Sequence, residues 1–168
     1  MRRKRVQQKR VLLKIKFIKY SCVVFLICFL VFLHKKDEIR DVSMDTIKEQ
    51  MKFDKVEAAM KKGEKKDLRK YYNLDEQLLE GYILYIPSEI MSVEEVFIAK
   101  VKDKNHMTTV KKTVEERLES QKKSFANYGV GQTAILNKAK LEVKGKYIFF
   151  AVSENAADWK KNFDSIIE

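Results

Sequence analysis

A serine and a lysine in the middle of the chain are spaced as in a known type of nucleophilic site. Ser120 and Lys123 match the Ser-x-x-Lys motif of penicillin-binding enzymes, in which the serine is the nucleophile. The companion motifs of those enzymes are missing, because residues 153–155 read Ser-Glu-Asn and no Lys-Thr-Gly occurs. A chain so rich in lysine produces such a short match by chance, so we expect Ser120 to be an ordinary helix residue.

Cysteine and histidine, which bind zinc in most proteins, are sparse beyond the N-terminal region. Both cysteines, Cys22 and Cys28, fall in an apolar stretch, and the two histidines are His34 and His106. A zinc site in the rest of the chain would have to combine His106 with carboxylates. The chain also has no Gly-rich phosphate loop, no Gly-x-Ser-x-Gly elbow and no His-Glu-x-x-His motif. We predict no catalytic residue, no metal site and no cofactor.

Two pairs of neighbouring acids are candidates for general acid and base catalysis. They are Glu94 with Glu95, and Glu115 with Glu116. An acid and a base must converge on one substrate, but neighbouring side chains point to opposite faces of a strand and diverge on a helix. We therefore expect both pairs to lie on the solvated surface.

The strongest candidates for a binding role are aromatic and glycine-containing positions near helix ends. Glycine adopts backbone angles that other residues avoid, and loops of this kind often carry recognition. The possible partner-binding residues are Tyr128, Gly129, Gly131, Gln132, Tyr71 and Tyr72. A helix end combined with ordinary core packing explains the same residues, and this alternative stays open.

The N-terminal region has the pattern of an uncleaved membrane anchor. Residues 1–19 carry nine Lys or Arg and no acid, and residues 20–33 carry no charge. A cleavable signal peptide is the alternative, but the small residues of a cleavage site do not follow the apolar run. We predict a basic cytoplasmic tail over residues 1–16 and a transmembrane helix over 17–34, with the N-terminus inside. A charged linker over 35–42 and an extracellular domain over 43–168 would follow.

The net charge of +11 is concentrated in that tail. Residues 34–168 carry 26 Lys or Arg and 24 Asp or Glu, so the body of the protein is close to neutral. A nucleic-acid-binding domain is expected to carry a basic patch of its own. We therefore predict no nucleic acid as a partner. The predicted anchor instead indicates a membrane, and with it an envelope or membrane protein, as partners.

Alternating and helical apolar patterns predict an α+β domain after the anchor. The predicted order is α-α-β-β-α-(α)-β-β-α, with four strands in one mainly antiparallel sheet packed by helices. Strands are predicted near residues 82–86, 96–101, 141–144 and 147–152, and a long helix follows residue 105. Residues 61–66 are interpreted as a turn, after a second short helical piece with Val56, Ala59 and Met60.

Four segments of this domain carry a resemblance to a known bacterial family. They are residues 71–75 (Tyr-Tyr-Asn-Leu-Asp), 80–87, 117–129 and 145–153 (Gly-Lys-Tyr-Ile-Phe-Phe-Ala-Val-Ser). In these segments the chain resembles domain-of-unknown-function family 4358, over about residues 43–166. The resemblance implies an exported domain, anchored by a lipid or a span, in Gram-positive bacteria. It implies no activity.

Two hypotheses on function follow. The first is a membrane-tethered, non-catalytic binding or accessory module for a protein or cell-envelope partner. The alternative is an enzyme that acts on the cell envelope with a dispersed active site that no motif reveals.

Overall fold

The structure is a computed structural model that describes residues 17–29, 39–51, 60–127 and 129–168. The chain divides into two units, Met1–Glu38 and Ile39–Glu168. In the first unit, residues 17–29 form helix α1, whose side chains are exposed.

The prediction of a transmembrane helix over residues 17–34 is wrong for the described part of the chain. Within the described ranges, no helix combines the length and the apolar character needed to cross a membrane. Residues 30–34 of the expected span lie outside these ranges.

The second unit has helices on both faces of an antiparallel sheet. Its helices are α2 (Met44–Met51), α3 (Lys65–Tyr72), α4 (Met107–Phe125), α5 (Val130–Asn137) and α6 (Ala156–Ile167). Its strands are β1 (Met60–Lys62), β2 (Leu79–Pro87), β3 (Glu95–Val101), β4 (Lys140–Lys144) and β5 (Tyr147–Val152). Short 3₁₀ turns at Glu76–Leu78 and Lys104–His106 precede β2 and α4.

The strands lie in the order β1-β2-β3-β5-β4, and every neighbouring pair is antiparallel. Phe97 of β3 lies between Leu84 of β2 and Phe150 of β5. Every residue of β3 and β5 is buried, as expected for central strands that are covered on both faces.

Each face of the sheet supports its own apolar core. On one face, the apolar sides of helices α3 and α4 pack on β3 and β5, and the ring centroids of Tyr72 and Phe97 are 4.7 Å apart. On the other face, α2 and α6 supply Ile47 and Phe163, and Phe163 packs on Phe149 with its ring centroid 5.2 Å away. Alternation along the strand explains the division, because successive side chains point to opposite faces.

The prediction of four strands is wrong, because β1 adds a fifth. Met60, assigned to a helical piece, and Lys61 and Lys62, assigned to a turn, pair with the end of β2. A three-residue edge strand has too few side chains to show alternation, and its pairing depends on backbone groups that the sequence does not distinguish. Val56 and Ala59 lie outside the described residues.

The start of the second unit is fastened to the sheet by polar contacts. The Lys100 ammonium, almost fully buried, contacts Asp41 at 2.5 Å and Glu80 at 2.6 Å. The Tyr147 hydroxyl accepts a hydrogen bond from the Val42 backbone N–H at 2.7 Å and lies 2.7 Å from the Val42 carbonyl. The segment 39–42 is therefore bound to β3 and β5 on the face that carries α6.

Candidate functional site

A buried ion pair joins the first residue of β3 to the middle of α4. Glu95 is fully buried, and the Arg117 guanidinium lies against its carboxylate. The Arg117 Nε donates at 3.2–3.3 Å to the two carboxylate oxygens, and Nη2 donates to Oε2 at 3.0 Å. This two-nitrogen contact is the geometry in which arginine binds carboxylates most specifically.

Gln121 completes the network one turn further along α4. Its amide donates to Glu95 Oε1 at 3.0 Å and accepts from Arg117 Nη2 at 2.8 Å. Arg117 and Gln121 are four residues apart, which places them on one face of the helix. Glu95 is in turn on the same strand face as Phe97, because the two positions are i and i+2 along the strand. The elements therefore bring these three polar groups together at the border of the core.

Burial and charge have opposite effects on the Glu95 carboxyl. Burial raises the pKa of Glu95, the Arg117 cation beside it lowers it, and the net direction is upward. Burial also raises the pKa of the Tyr72 hydroxyl well above its usual value, and the nearby Glu95 charge adds to this. The Tyr72 hydroxyl is buried near the Glu95 carboxylate.

Arginine has five N–H donors, and the network uses three of those of Arg117. They are the Nε–H and the two on Nη2, while Nη1 has no hydrogen-bond acceptor among the described residues. The guanidinium also lies over the Tyr71 ring, with Cζ 4.8 Å from its centroid. Arg117 is held on two sides, and its side chain remains 16% exposed.

An open cavity of about 370 Å³ lies on this exposed side. Its polar lining comes from Arg117, Gln121 and serines of α4 and of the loop after β2. The lining residues are Lys61, Tyr71, Pro87, Ser88, Glu89, Ile90, Ser92, Arg117, Ser120, Gln121, Ser124 and Phe125. The volume is within the usual range of ligand pockets, about 300–1,000 Å³.

Exposed apolar side chains lie on the loop that forms one wall of this cavity and at the start of α5. Ile90 is 96% exposed, Met91 is half exposed and Val130 is 87% exposed. The Gln132 amide of α5 donates to the Met91 carbonyl at 3.1 Å and so connects the two segments. We call Ile90, Met91 and Val130 the apolar rim.

The structure distributes the residues proposed from the sequence over this region. Tyr71 lines the cavity, and Tyr72 lies behind it in the core. Gln132 contacts the loop that carries the rim, while Gly129 packs against Phe125, since a Cβ there would lie 2.7 Å from its ring. Gly131 is in the first turn of α5, and a Cβ there would meet no other part of the described chain within 4 Å. Tyr128 lies outside the described residues.

The expectation that Glu95 lies on the solvated surface is wrong. Its carboxylate is buried because Arg117, 22 residues later, supplies the compensating charge. One feature of the sequence indicates that Glu95 could be buried. Gln121 is a polar residue on the apolar side of α4, and a polar residue at such a position indicates a buried polar partner. Glu94 is half-buried and accepts a hydrogen bond from Ser153 at 3.1 Å.

The network is arranged to hold the Arg117 guanidinium in place rather than to transfer protons. Both Glu95 oxygens accept hydrogen bonds from Arg117 and Gln121, so neither is directed at a ligand. Ser120 is exposed on α4 and lines the cavity. In the described ranges no three His, Cys, Asp or Glu side chains cluster as metal ligands would.

Comparison with known families identifies the domain. The family model described as "Domain of unknown function (DUF4358)" matches residues 53–153, more than half of the chain. The chain therefore belongs to this family, as the resemblance in its sequence predicted. No match was found among the curated proteins or among the solved structures.

Proposed function

We propose that this member of the DUF4358 family is a non-catalytic binding module for a protein partner in the cell envelope. The observation that supports it best is the position of the apolar rim. Among the described residues of the folded unit, the exposed large apolar side chains are Ile90, Met91 and Val130. All three belong to two segments that a hydrogen bond joins.

Exposure of the apolar rim to water costs free energy, and a protein without a partner would gain nothing in return. Single exposed apolar residues are common, but a group of them beside a cavity is typical of an interaction site. The other large apolar side chains in the described part of the unit are buried or half-buried, most of them in the two cores. Association with a protein surface would remove the rim from water and gain the free energy of that burial.

The alternative of an envelope enzyme receives no comparable support. The Glu95 carboxylate is committed to Arg117 and Gln121 inside the protein. A general base needs to be within hydrogen-bond reach of the proton that it removes, and Glu95 is fully buried. In a binding role, Arg117 would contact the partner while Glu95 and Tyr71 hold its guanidinium in place.

Site-specific photo-crosslinking in intact cells tests the proposal. A photoreactive amino acid at position 90 or 130 should crosslink to the same partner protein, and one at the exposed Lys161 of α6 should not. Purified partner should then bind the wild type and lose binding to the Ile90→Ser, Val130→Ser double variant. Equal crosslinking from all three positions, or unchanged binding by the double variant, would refute the function.

The proposal includes a location at the cell membrane with the folded unit outside. It is supported by the nine basic residues that precede the charge-free stretch at 20–33. In a chain with Cys22 and Cys28 replaced by Ser, a Ser165→Cys thiol should react with an impermeant maleimide in intact cells. A Gln7→Cys thiol should react after lysis and not before. Labelling in the opposite order would refute this location.

A further inference from the structure

We propose that the cavity beside Glu95 and Arg117 receives an uncharged peptide segment of the protein partner. The inference rests on the proposed function and names what the site recognises. It is drawn from the donors, the charges and the apolar surface that the described residues present.

The cavity offers hydrogen-bond donors of the kind that peptide carbonyls accept. Arg117 lines it, and the two N–H groups of its Nη1 are not used within the described part of the chain. Ser120 adds a hydroxyl that can donate and accept, on the same face of α4. Because Glu95 and Tyr71 hold the guanidinium, little side-chain entropy is lost when a ligand binds to it.

The charges around the cavity balance one another. Arg117 is neutralised by Glu95 behind it, and Lys61 and Glu89 contribute one charge of each sign to the lining. An ionised ligand would lose hydration without meeting an excess of opposite charge. A neutral ligand with carbonyl groups avoids this cost.

The apolar surface distinguishes a peptide from other neutral ligands. Pro87, Ile90 and Phe125 line the cavity, and Ile90 also belongs to the apolar rim, whose two segments are joined by the hydrogen bond from Gln132 to the Met91 carbonyl. A peptide brings apolar side chains together with its carbonyl groups, so one segment could cover the rim and bind Arg117. A carbohydrate would offer hydroxyl groups and leave the rim largely exposed.

Selection from a random peptide library displayed on phage, with the full-length chain immobilised, tests the inference. We expect enriched peptides that carry apolar residues and no net charge. A synthetic peptide of the enriched sequence should bind the wild type. Ser120→Leu should weaken its binding by about tenfold or more, because the leucine fills the cavity.

Ser165→Leu on α6 is the matched control, since it makes the same change at an exposed helix position. Helix α6 lies on the face of the sheet opposite to α4. It should leave peptide binding unchanged. Leucine is a better helix former than serine, so both variants should keep the wild-type melting temperature. Equal peptide binding by Ser120→Leu and the wild type would overturn the inference.

The other outcomes separate the inference from the proposed function. Loss of peptide binding in Ile90→Ser but not in Ser120→Leu would place the peptide on the rim alone and overturn the cavity site, while the binding module would stand. Enrichment of acidic peptides, or no enrichment, would also overturn the inference. If an N-acetylglucosamine oligomer bound the wild type and not Ser120→Leu, while no peptide bound, the inference would also be overturned.

Discussion

At the scale of single residues, the Glu95–Arg117 pair is asymmetric. Glu95 is fully buried, whereas Arg117 reaches the cavity and remains partly exposed. Breaking a buried ion pair costs stability chiefly through the charge that is left without its partner. The cost therefore depends on which of the two groups can still reach water.

Arg117→Leu should be more destabilising than Glu95→Leu. The first leaves the buried carboxylate without its cation and should cost about 3–5 kcal/mol. The second leaves a guanidinium that can turn toward the cavity, so its cost should be smaller. Urea unfolding of both variants and of the double variant gives the comparison, and the double variant should recover much of the loss seen in Arg117→Leu. The reverse order of the single variants would contradict this account.

The same pair should produce a defined pH dependence. Burial already raises the pKa of folded Glu95 above its unfolded value, and loss of Arg117 removes the charge that opposes this rise. A folded carboxyl with a raised pKa contributes stability that is present at low pH and lost as the pH rises through that pKa. The stability gap between Arg117→Leu and the wild type should therefore narrow from pH 8 to pH 5, in urea unfolding at each pH. A constant gap would exclude Glu95 as the titrating group.

At the scale of elements, the join between β1 and α3 depends on a close backbone approach. The Gly63 N–H donates to the Leu84 carbonyl at 2.8 Å, and a Cβ on Gly63 would lie 2.5 Å from Leu84 Cγ. Leu84 is buried on β2 and has little room to move. This position requires a residue without a side chain.

Gly63→Ala should accordingly destabilise the domain by about 1–3 kcal/mol through overpacking. Gly131→Ala is the matched control, because a Cβ there meets nothing within 4 Å and alanine favours the helix. It should leave the midpoint of thermal unfolding unchanged or raise it. Equal effects of the two substitutions would show that the contact with Leu84 does not limit the structure.

The elements differ in how well the sequence predicts them. The apolar stripe of α4 and the apolar run of β5 determine their structure locally, and both were predicted. Helix α3 ends at Asn73, which is left-handed with φ of 50°, a conformation that asparagine adopts more readily than most residues. The sequence did not predict β1, because three residues show no period. It did not predict the burial of Glu95, because burial of an acid depends on a partner that the fold brings close.

At the scale of the whole molecule, the segment 39–42 is part of the folded unit rather than a free linker. The Tyr147 hydroxyl bonds the Val42 backbone, and the Arg40 N–H donates to the Ile167 carbonyl at 2.8 Å. The sequence predicted a charged linker as far as residue 42, and its polar composition explains that interpretation. The contacts begin the fold close to residue 39.

Tyr147→Phe should loosen this segment without unfolding the domain. It removes the acceptor of the Val42 N–H and should cost about 1 kcal/mol. Hydrogen exchange followed by NMR should show faster exchange at Val42, while amides of β5 such as Phe149 keep their protection. Tyr82→Phe, at a half-buried tyrosine on β2, is the control. Unchanged exchange at Val42 would mean that other contacts hold the segment.

The strand order has a further consequence for how copies of this protein meet. The outermost strands are β1, with Lys61 and Lys62, and β4, which begins and ends with Lys140 and Lys144. Lysines on a border strand oppose the addition of a strand from another chain, which is the first step toward aggregation. These edge strands therefore oppose the edge-to-edge joining of sheets from different copies at high local concentration.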